Sequence, residues 1–185
     1  MPTSDRKLTM EELGRVTPEA YGQRVLRPIR LVLDDVRSRH NVGSIFRTAD
    51  AFGIEGLVLC GFTPQPPHRE IDKTALGATD SVPWTHEADA LAAIKRLRAE
   101  GYCILVVEQT TEAVPLGNFK LPAGAPLALV VGNELNGVHE AVVQAADACI
   151  AIPQHGSKHS LNVSVCAGVV LWHLTSGHEG CIHTR

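Results

Sequence analysis

The chain has 185 residues, enough to bury a core without disulfide or metal staples, and its net charge of −3, taken as a single figure, argues mildly against nucleic acid as a partner. Its five cysteines, Cys60, Cys103, Cys149, Cys166 and Cys181, are odd in number, far apart and never spaced C-x-x-C, which points away from a disulfide framework or zinc ribbon and toward a reduced, cytoplasmic protein. No apolar stretch reaches the roughly 18 residues of a membrane span without a polar interruption, and residues 1–14 lack the apolar segment of a signal peptide.

In chain order, residues 1–28 read as a polar and basic arm, with room for a short helix around 10–13. The β-branched, apolar run 29–33 predicts a strand. Asn41 stands where it can cap a helix that runs to Phe52 and is ended by Gly53. Residues 56–60 predict a second strand, and Pro64, Pro66 and Pro67 a stiff loop that no central strand tolerates. A short helix is expected at 71–76. Alanine, leucine and basic residues at helical spacing predict a longer one at 87–100, closed by Gly101. Runs 102–107 and 127–131 read as buried strands, 138–146 as a helix and 149–152 as a strand. Ser160 then stands at an N-cap position before a helix over 160–175. That helix is apolar nearly all round, so it is expected to be buried on more than one side and to meet a second subunit.

Strands alternate with helices throughout, which predicts an α/β fold: a mostly parallel sheet with helices on both faces, over residues 29–177, followed by a tail at 178–185.

The charge distribution qualifies the net figure. Between Gly22 and Thr48 stand six arginines, Arg24, Arg27, Arg30, Arg37, Arg39 and Arg47, against Asp34 and Asp35, a local +4. Arginine suits planar, bidentate phosphate contacts, although a merely solvated basic face has the same composition.

Three segments end strands and open loops or helices: Asn41-Val42-Gly43-Ser44-Ile45-Phe46-Arg47, Gly132-Asn133-Glu134-Leu135-Asn136-Gly137, and the run from Ile152-Pro153 to Ser160-Leu161-Asn162-Val163-Ser164. Each by itself reads as a turn or a cap. The second has no lysine and is no P-loop, nor does it match the dinucleotide fingerprint. Together and in this order they closely resemble the three segments of the SPOUT superfamily, specifically its TrmH-like (SpoU) RNA ribose methyltransferases, over about 31–174.

That resemblance implies a C-terminal deep trefoil knot, S-adenosylmethionine bound in a bent shape by the knotted loops, and a homodimer with the site near its interface. Carried over by position, it implies catalytic roles for Arg47, Asn41, Glu134, Ser160 and Asn162. It implies a cofactor pocket formed by the backbone around Val107, Gly132, Ile152 and Leu161, where glycine permits close approach. Arg24, Arg27, Arg30, Arg37 and Arg39 are the expected RNA contacts. The implied reaction is methyl transfer to a ribose 2′-hydroxyl of structured RNA, with tRNA slightly favoured over rRNA. Gln154 departs from the family pattern, which commonly has an apolar residue after Ile-Pro. Glu134 is expected to fix either the Arg47 guanidinium or the loop.

His155 and His159 lie in a loop, and His178, Cys181 and His183 near the terminus, so neither group reads as a metal site. A non-catalytic RNA-binding module on the same fold is the alternative function. A flavodoxin-like nucleotide-binding protein is a third, should the knot be absent.

Overall fold

The structure, a computed structural model, describes residues 5–9, 11–14, 17, 20–21, 23–121 and 124–176. Its elements are β1 (Arg27–Asp34), α1 (Arg39–Phe52), β2 (Ile54–Cys60), α2 (Arg69–Ala75), α3 (Ala78–Ser81), β3 (Trp84–Glu87), α4 (Ala90–Ala99), β4 (Cys103–Val107), β5 (Val114–Pro115), a 3₁₀ turn (Leu116–Asn118), β6 (Leu127–Val131), α5 (Glu140–Gln144), β7 (Ala148–Ala151) and α6 (Val163–Ser176).

Among the described residues the strands form one seven-stranded sheet in the order β3-β2-β1-β6-β4-β7-β5, and every strand pair in it is parallel. Side chains of a strand alternate between faces, which explains the continuous apolar runs: both faces are covered. Leu31, Leu33, Leu57, Leu59 and Leu129 pack with Phe46 of α1, Ile71 of α2 and Leu171 of α6. Val32, Val58, Ile104 and Val130 face the other way, against Ile94 and Leu97 of α4 and Val142 of α5. Because all strands run the same way, every C-terminal end falls on one edge of the sheet, and the loops after β1, β4, β6 and β7 gather there.

The expected helices and strands are present, with displaced ends. Asn41 does not cap α1. Ser38 does, accepting the Asn41 backbone N–H on its hydroxyl at 3.3 Å, and Asn41 lies in the first turn. Gly53 ends α1 as expected, in a left-handed conformation (φ 59°) with its N–H directed at the carbonyls of Ala49 and Asp50. Nor does Ser160 cap α6. The Asn162 side chain accepts from the N–H groups of Ser164 (2.9 Å) and Val165 (3.4 Å), and the helix starts at Val163. The helix expected at 87–100 begins later, at Ala90 behind an Asp89 cap, because Glu87 belongs to β3. Strands β3 and β5 had no sequence signal: they have four and two residues, and half-polar edge strands lack an apolar run. Of the helix expected around 10–13, Glu11 to Leu13 form a turn and Met10 lies outside the described residues, as does the tail at 178–185.

The contact between α1 and α2 depends on a missing side chain. Gly43 of α1 lies against α2, where an added Cβ would come within 2.1 Å of Thr74 Oγ1 and 2.2 Å of the Ile71 carbonyl oxygen. The second of these is backbone and cannot swing aside. Gly43→Ala is therefore expected to destabilise the fold by about 1–3 kcal/mol through overpacking, measured as a lowered urea midpoint with an unchanged m-value.

Candidate active site

The C-terminal ends of β4, β6 and β7 border a cleft of about 720 Å³. Ligands of open α/β sheets bind at this edge. All four backbone positions expected around a cofactor, Val107, Gly132, Ile152 and Leu161, line it, together with Glu134, Ser160 and Asn162. Gly132 has a different reason to be glycine than the one expected. Its missing Cβ makes room for the chain itself, since that atom would sit 2.3 Å from Val138 N, so the residue closes the 132–138 loop rather than admitting a ligand. Within that loop Asn133 and Gly137 exchange backbone hydrogen bonds, and Asn133 Oδ1 accepts from the N–H groups of Leu135 and Asn136.

Three of the five expected catalytic residues meet. Glu134 accepts from the backbone N–H of Arg37 (2.9 Å) and Ser38 (3.0 Å) and from Asn41 Nδ2 (2.8 Å). Asn41 Oδ1 in turn accepts from Asn162 Nδ2 at 3.0 Å. A single hydrogen-bonded chain thus joins the loops after β1, β6 and β7. Of the two expected roles for Glu134, the structure shows the loop and not Arg47. Burial alone pushes the Glu134 carboxyl up, but the Arg37 N–H, the Asn41 amide and further backbone donors outweigh it and hold the group below its ordinary value.

Arg47 stands six residues beyond Asn41 on α1, about 9 Å along the axis at helical rise. It is exposed, and it lines a second hollow, with Ser44, Thr48, Lys73 and Gly168, rather than the cleft. Gln154, the departure from the family pattern, lines the cleft and donates from Nε2 to the Ile152 carbonyl at 3.0 Å.

The basic segment does not form one surface. Arg24 lies near Asp50, Arg27 donates to the Thr175 carbonyl at 3.3 Å, and Arg30 bonds the Tyr102 hydroxyl and pairs with Glu55 at 3.6 Å. These three precede or begin β1, up to roughly 20 Å from its C-terminal end. Arg37 and Arg39 flank the start of α1, on the same edge as the cleft.

Two features carried no distinctive signal in the sequence. Glu108 lines the cleft and accepts from the N–H groups of Gln109 (2.8 Å) and Val138 (3.1 Å). Its position directly after a buried strand was the available clue. The second is a clasp of Asp34, Asp35 and His139. The His139 backbone N–H donates to Asp34 Oδ2 (2.8 Å), and its ring lies 3.2 Å from Asp34 Oδ1 and 3.7 Å from Asp35 Oδ2. Burial holds the Asp34 carboxyl above its usual range, and the His139 contacts offset part of that cost. Asp35 is held at φ 54° and accepts the Phe62 N–H. Among the described residues this is the one cluster of three potential metal donors, and the contacts its members make with one another account for it. His178, Cys181 and His183 lie outside the described residues.

A doubly wound sheet with its cleft at the strand ends defines a class of ligand-binding α/β domains, and the three-loop network narrows that class. The profile of the SpoU rRNA Methylase family matches residues 28–172, and the chain belongs to this family. It is 32% identical over 144 residues to a 23S rRNA (guanosine-2′-O-)-methyltransferase, RlmB, of Neisseria meningitidis serogroup B, a match spanning 78% of this chain and 56% of that protein. The chain therefore spans little more than half the length of this relative. Two solved structures share the fold at 28% identity. The TrmH/SpoU tRNA modifying enzyme of A. aeolicus has a TM-score of 0.74, with 83% of this chain and 76% of that one covered. An AdoMet-bound rRNA methyltransferase from Sinorhizobium meliloti has a TM-score of 0.75, with 85% and 60% covered.

Glu134 offers a pH test. Its folded value is lowered, so its stabilising effect is complete above the ordinary carboxyl value of 4.5 and is lost as pH falls through the lowered value. The unfolding midpoint of Glu134→Gln is expected below that of the wild type at pH 7, with the gap closing on acidification. A gap independent of pH would mean the charge is not what holds the loops.

Proposed function

We propose that this chain transfers a methyl group from S-adenosylmethionine to a ribose 2′-hydroxyl of ribosomal RNA. The observation that carries this reading is the chain Glu134–Asn41–Asn162, which binds together the three family segments at the mouth of the cleft. The preference for tRNA drawn from the sequence is not supported by the relatives taken together: the Neisseria and Sinorhizobium proteins are named for rRNA, the A. aeolicus enzyme for tRNA.

The cleft suits the methyl donor. Val107, Ile152 and Leu161 offer an apolar wall for an adenine, and loop backbone groups lie beside it. Glu108, Glu134 and Glu140 line it without a lysine or arginine among the lining residues, a balance that favours a cation. When bound there, the sulfonium supplies an activated methyl group. The protein's share is to hold the ribose oxygen in line, and positioning of this kind is worth on the order of 7 kcal/mol or more. The methyl–sulfur bond breaks as the carbon–oxygen bond forms, leaving the thioether, and the hydroxyl proton passes to solvent water. Arg47 is no base, since a guanidinium keeps its proton above about pH 12. Its role in this reading is to grip a phosphate beside the target from the neighbouring hollow, which holds the ribose in place. Arg37 and Arg39, on the cleft edge, contact the RNA backbone. Arg24, Arg27 and Arg30, expected as further RNA contacts, stand away from the cleft edge and engage Asp50, Thr175, Tyr102 and Glu55.

The reading includes a trefoil knot and a homodimer. Supporting the first, β6 is inserted between β1 and β4, and the segment leaving β7 runs beside the 107–110 loop, with the His159 carbonyl bonded by Gln109, before α6 packs on α1. Supporting the second, Val165, Val169 and Trp172 share one face of α6 at i, i+4, i+7 spacing and are exposed, Trp172 by 64%.

Incubation with tritiated S-adenosylmethionine and either 23S rRNA or tRNA, followed by nuclease digestion, is expected to yield a labelled 2′-O-methylnucleoside from the rRNA. Label confined to a base, or to tRNA, refutes the assignment. Arg47→Ala is expected to lower kcat/KM by about 100-fold or more, through loss of a charged contact and of the positioning it provides. Undiminished turnover by Arg47→Lys would exclude a bidentate grip. Trp172→Glu is expected to halve the mass seen by light scattering.

A further inference from the structure

The hollow beside Arg47 is a site in its own right. It encloses about 520 Å³ between α1, α2 and α6. Arg47 and Lys73 both line it, and no carboxylate does. Among the described residues neither cation makes an ion pair. The acids nearest to them in sequence are turned elsewhere: Asp50 interacts with Arg24, and Asp72 lines a separate hollow with Pro67 and Trp84. Two like charges facing one concavity repel each other unless an anion lies between them.

The packing holds this juxtaposition in place. Gly43 lets α2 approach α1 until the Thr74 hydroxyl reaches the His40 carbonyl at 3.0 Å, so the helix bearing Lys73 is fastened to the helix bearing Arg47. Thr48 and Thr74 spend their hydroxyl protons on backbone carbonyls, which leaves Ser44 as a free hydroxyl donor among the described residues at this wall.

We propose that Lys73 and Arg47 together form a phosphate-binding site for the RNA backbone, with Lys73 a second anchor that fixes the strand against α1 and Ser44 a supporting donor. The chemistry is a point charge beside a planar fork: Arg47 supplies geometry and Lys73 supplies charge. The proposal rests on the RNA-methyltransferase reading and names how that site grips its substrate.

The test measures binding of a short fluorescein-labelled oligouridylate across a salt series for the wild type, Lys73→Met, Lys73→Arg and, as a charge-matched control, Lys95→Met. Lys95 lies exposed on α4, across the sheet from the hollow. Lys73→Met is expected to reduce the salt slope by about 0.7, the contribution of one single-strand phosphate. Lys73→Arg should restore the slope and Lys95→Met should leave it unchanged. With 23S rRNA, Lys73→Met should raise the KM for RNA by a larger factor than it lowers kcat, while S-adenosylmethionine affinity by calorimetry holds. Equal slopes for Lys73→Met and wild type, equal losses in the Lys73 and Lys95 variants, or no oligouridylate binding at all would overturn the site. The two readings fail separately. A wild type that methylates RNA with a slope indifferent to Lys73 removes the phosphate site alone. A wild type that methylates nothing but shows the Lys73-dependent slope removes the methyl-transfer reading alone.

Discussion

The functional end of this molecule depends on one carboxylate. A parallel sheet delivers its loops to a common edge but does nothing to join them, because each loop belongs to a different strand. Glu134 supplies the joint. Its oxygens take up two backbone N–H groups of the β1–α1 connection and the side-chain amide of Asn41, and Asn41 passes the connection on to Asn162 at the head of α6. An ionised carboxylate suits this role because it only accepts, so every donor that reaches it is welcome. The clasp of Asp34, Asp35 and His139 ties the same two loops a second time, and Asn133 Nδ2 adds a bond to the Asp35 carbonyl at 2.7 Å.

The two hollows around this joint differ in sign. The cleft at the ends of β4, β6 and β7 collects carboxylates, whereas the hollow between α1, α2 and α6 collects cations. Helix α1 forms one wall of the hollow from Ser44 to Phe52, and it reaches the cleft only through Asn41, which bonds the cleft residues Glu134 and Asn162. In the proposed reading, the acidic cleft favours the cationic methyl donor and the basic hollow favours phosphates of the acceptor strand.

Much of this was legible in the residues. The order of strands and helices followed from apolar runs, glycine stops and proline-rich loops, and the four positions expected around a cofactor all line the cleft. The helix starts did not follow, because Asn41 and Ser160 are plausible caps whose side chains or positions serve other ends, and caps are read one residue at a time while hydrogen bonds are made in space. The sheet order was hidden, since nothing local tells β6 to enter between β1 and β4. The scattering of the six arginines was hidden for a related reason: a strand of eight residues separates Arg27 from the loop that holds Arg37, so closeness in sequence is distance across the fold. Glu108 and His139 went unnoticed because a carboxylate or imidazole beyond a strand end is an ordinary sight, and only the third dimension supplies their partners.

Asn41 and Arg47 share a single helix, and this has a mechanical consequence. An α-helix is stiff over so short a length, so a displacement of the Glu134 loop that carries Asn41 with it also carries Arg47, through a rod anchored by buried Val42, Ile45 and Phe46. The cleft and the arginine hollow are therefore linked through one rigid element, by way of Asn41. In the proposed reading, any free energy that the bound methyl donor lends to the grip on RNA is returned to the donor in equal measure.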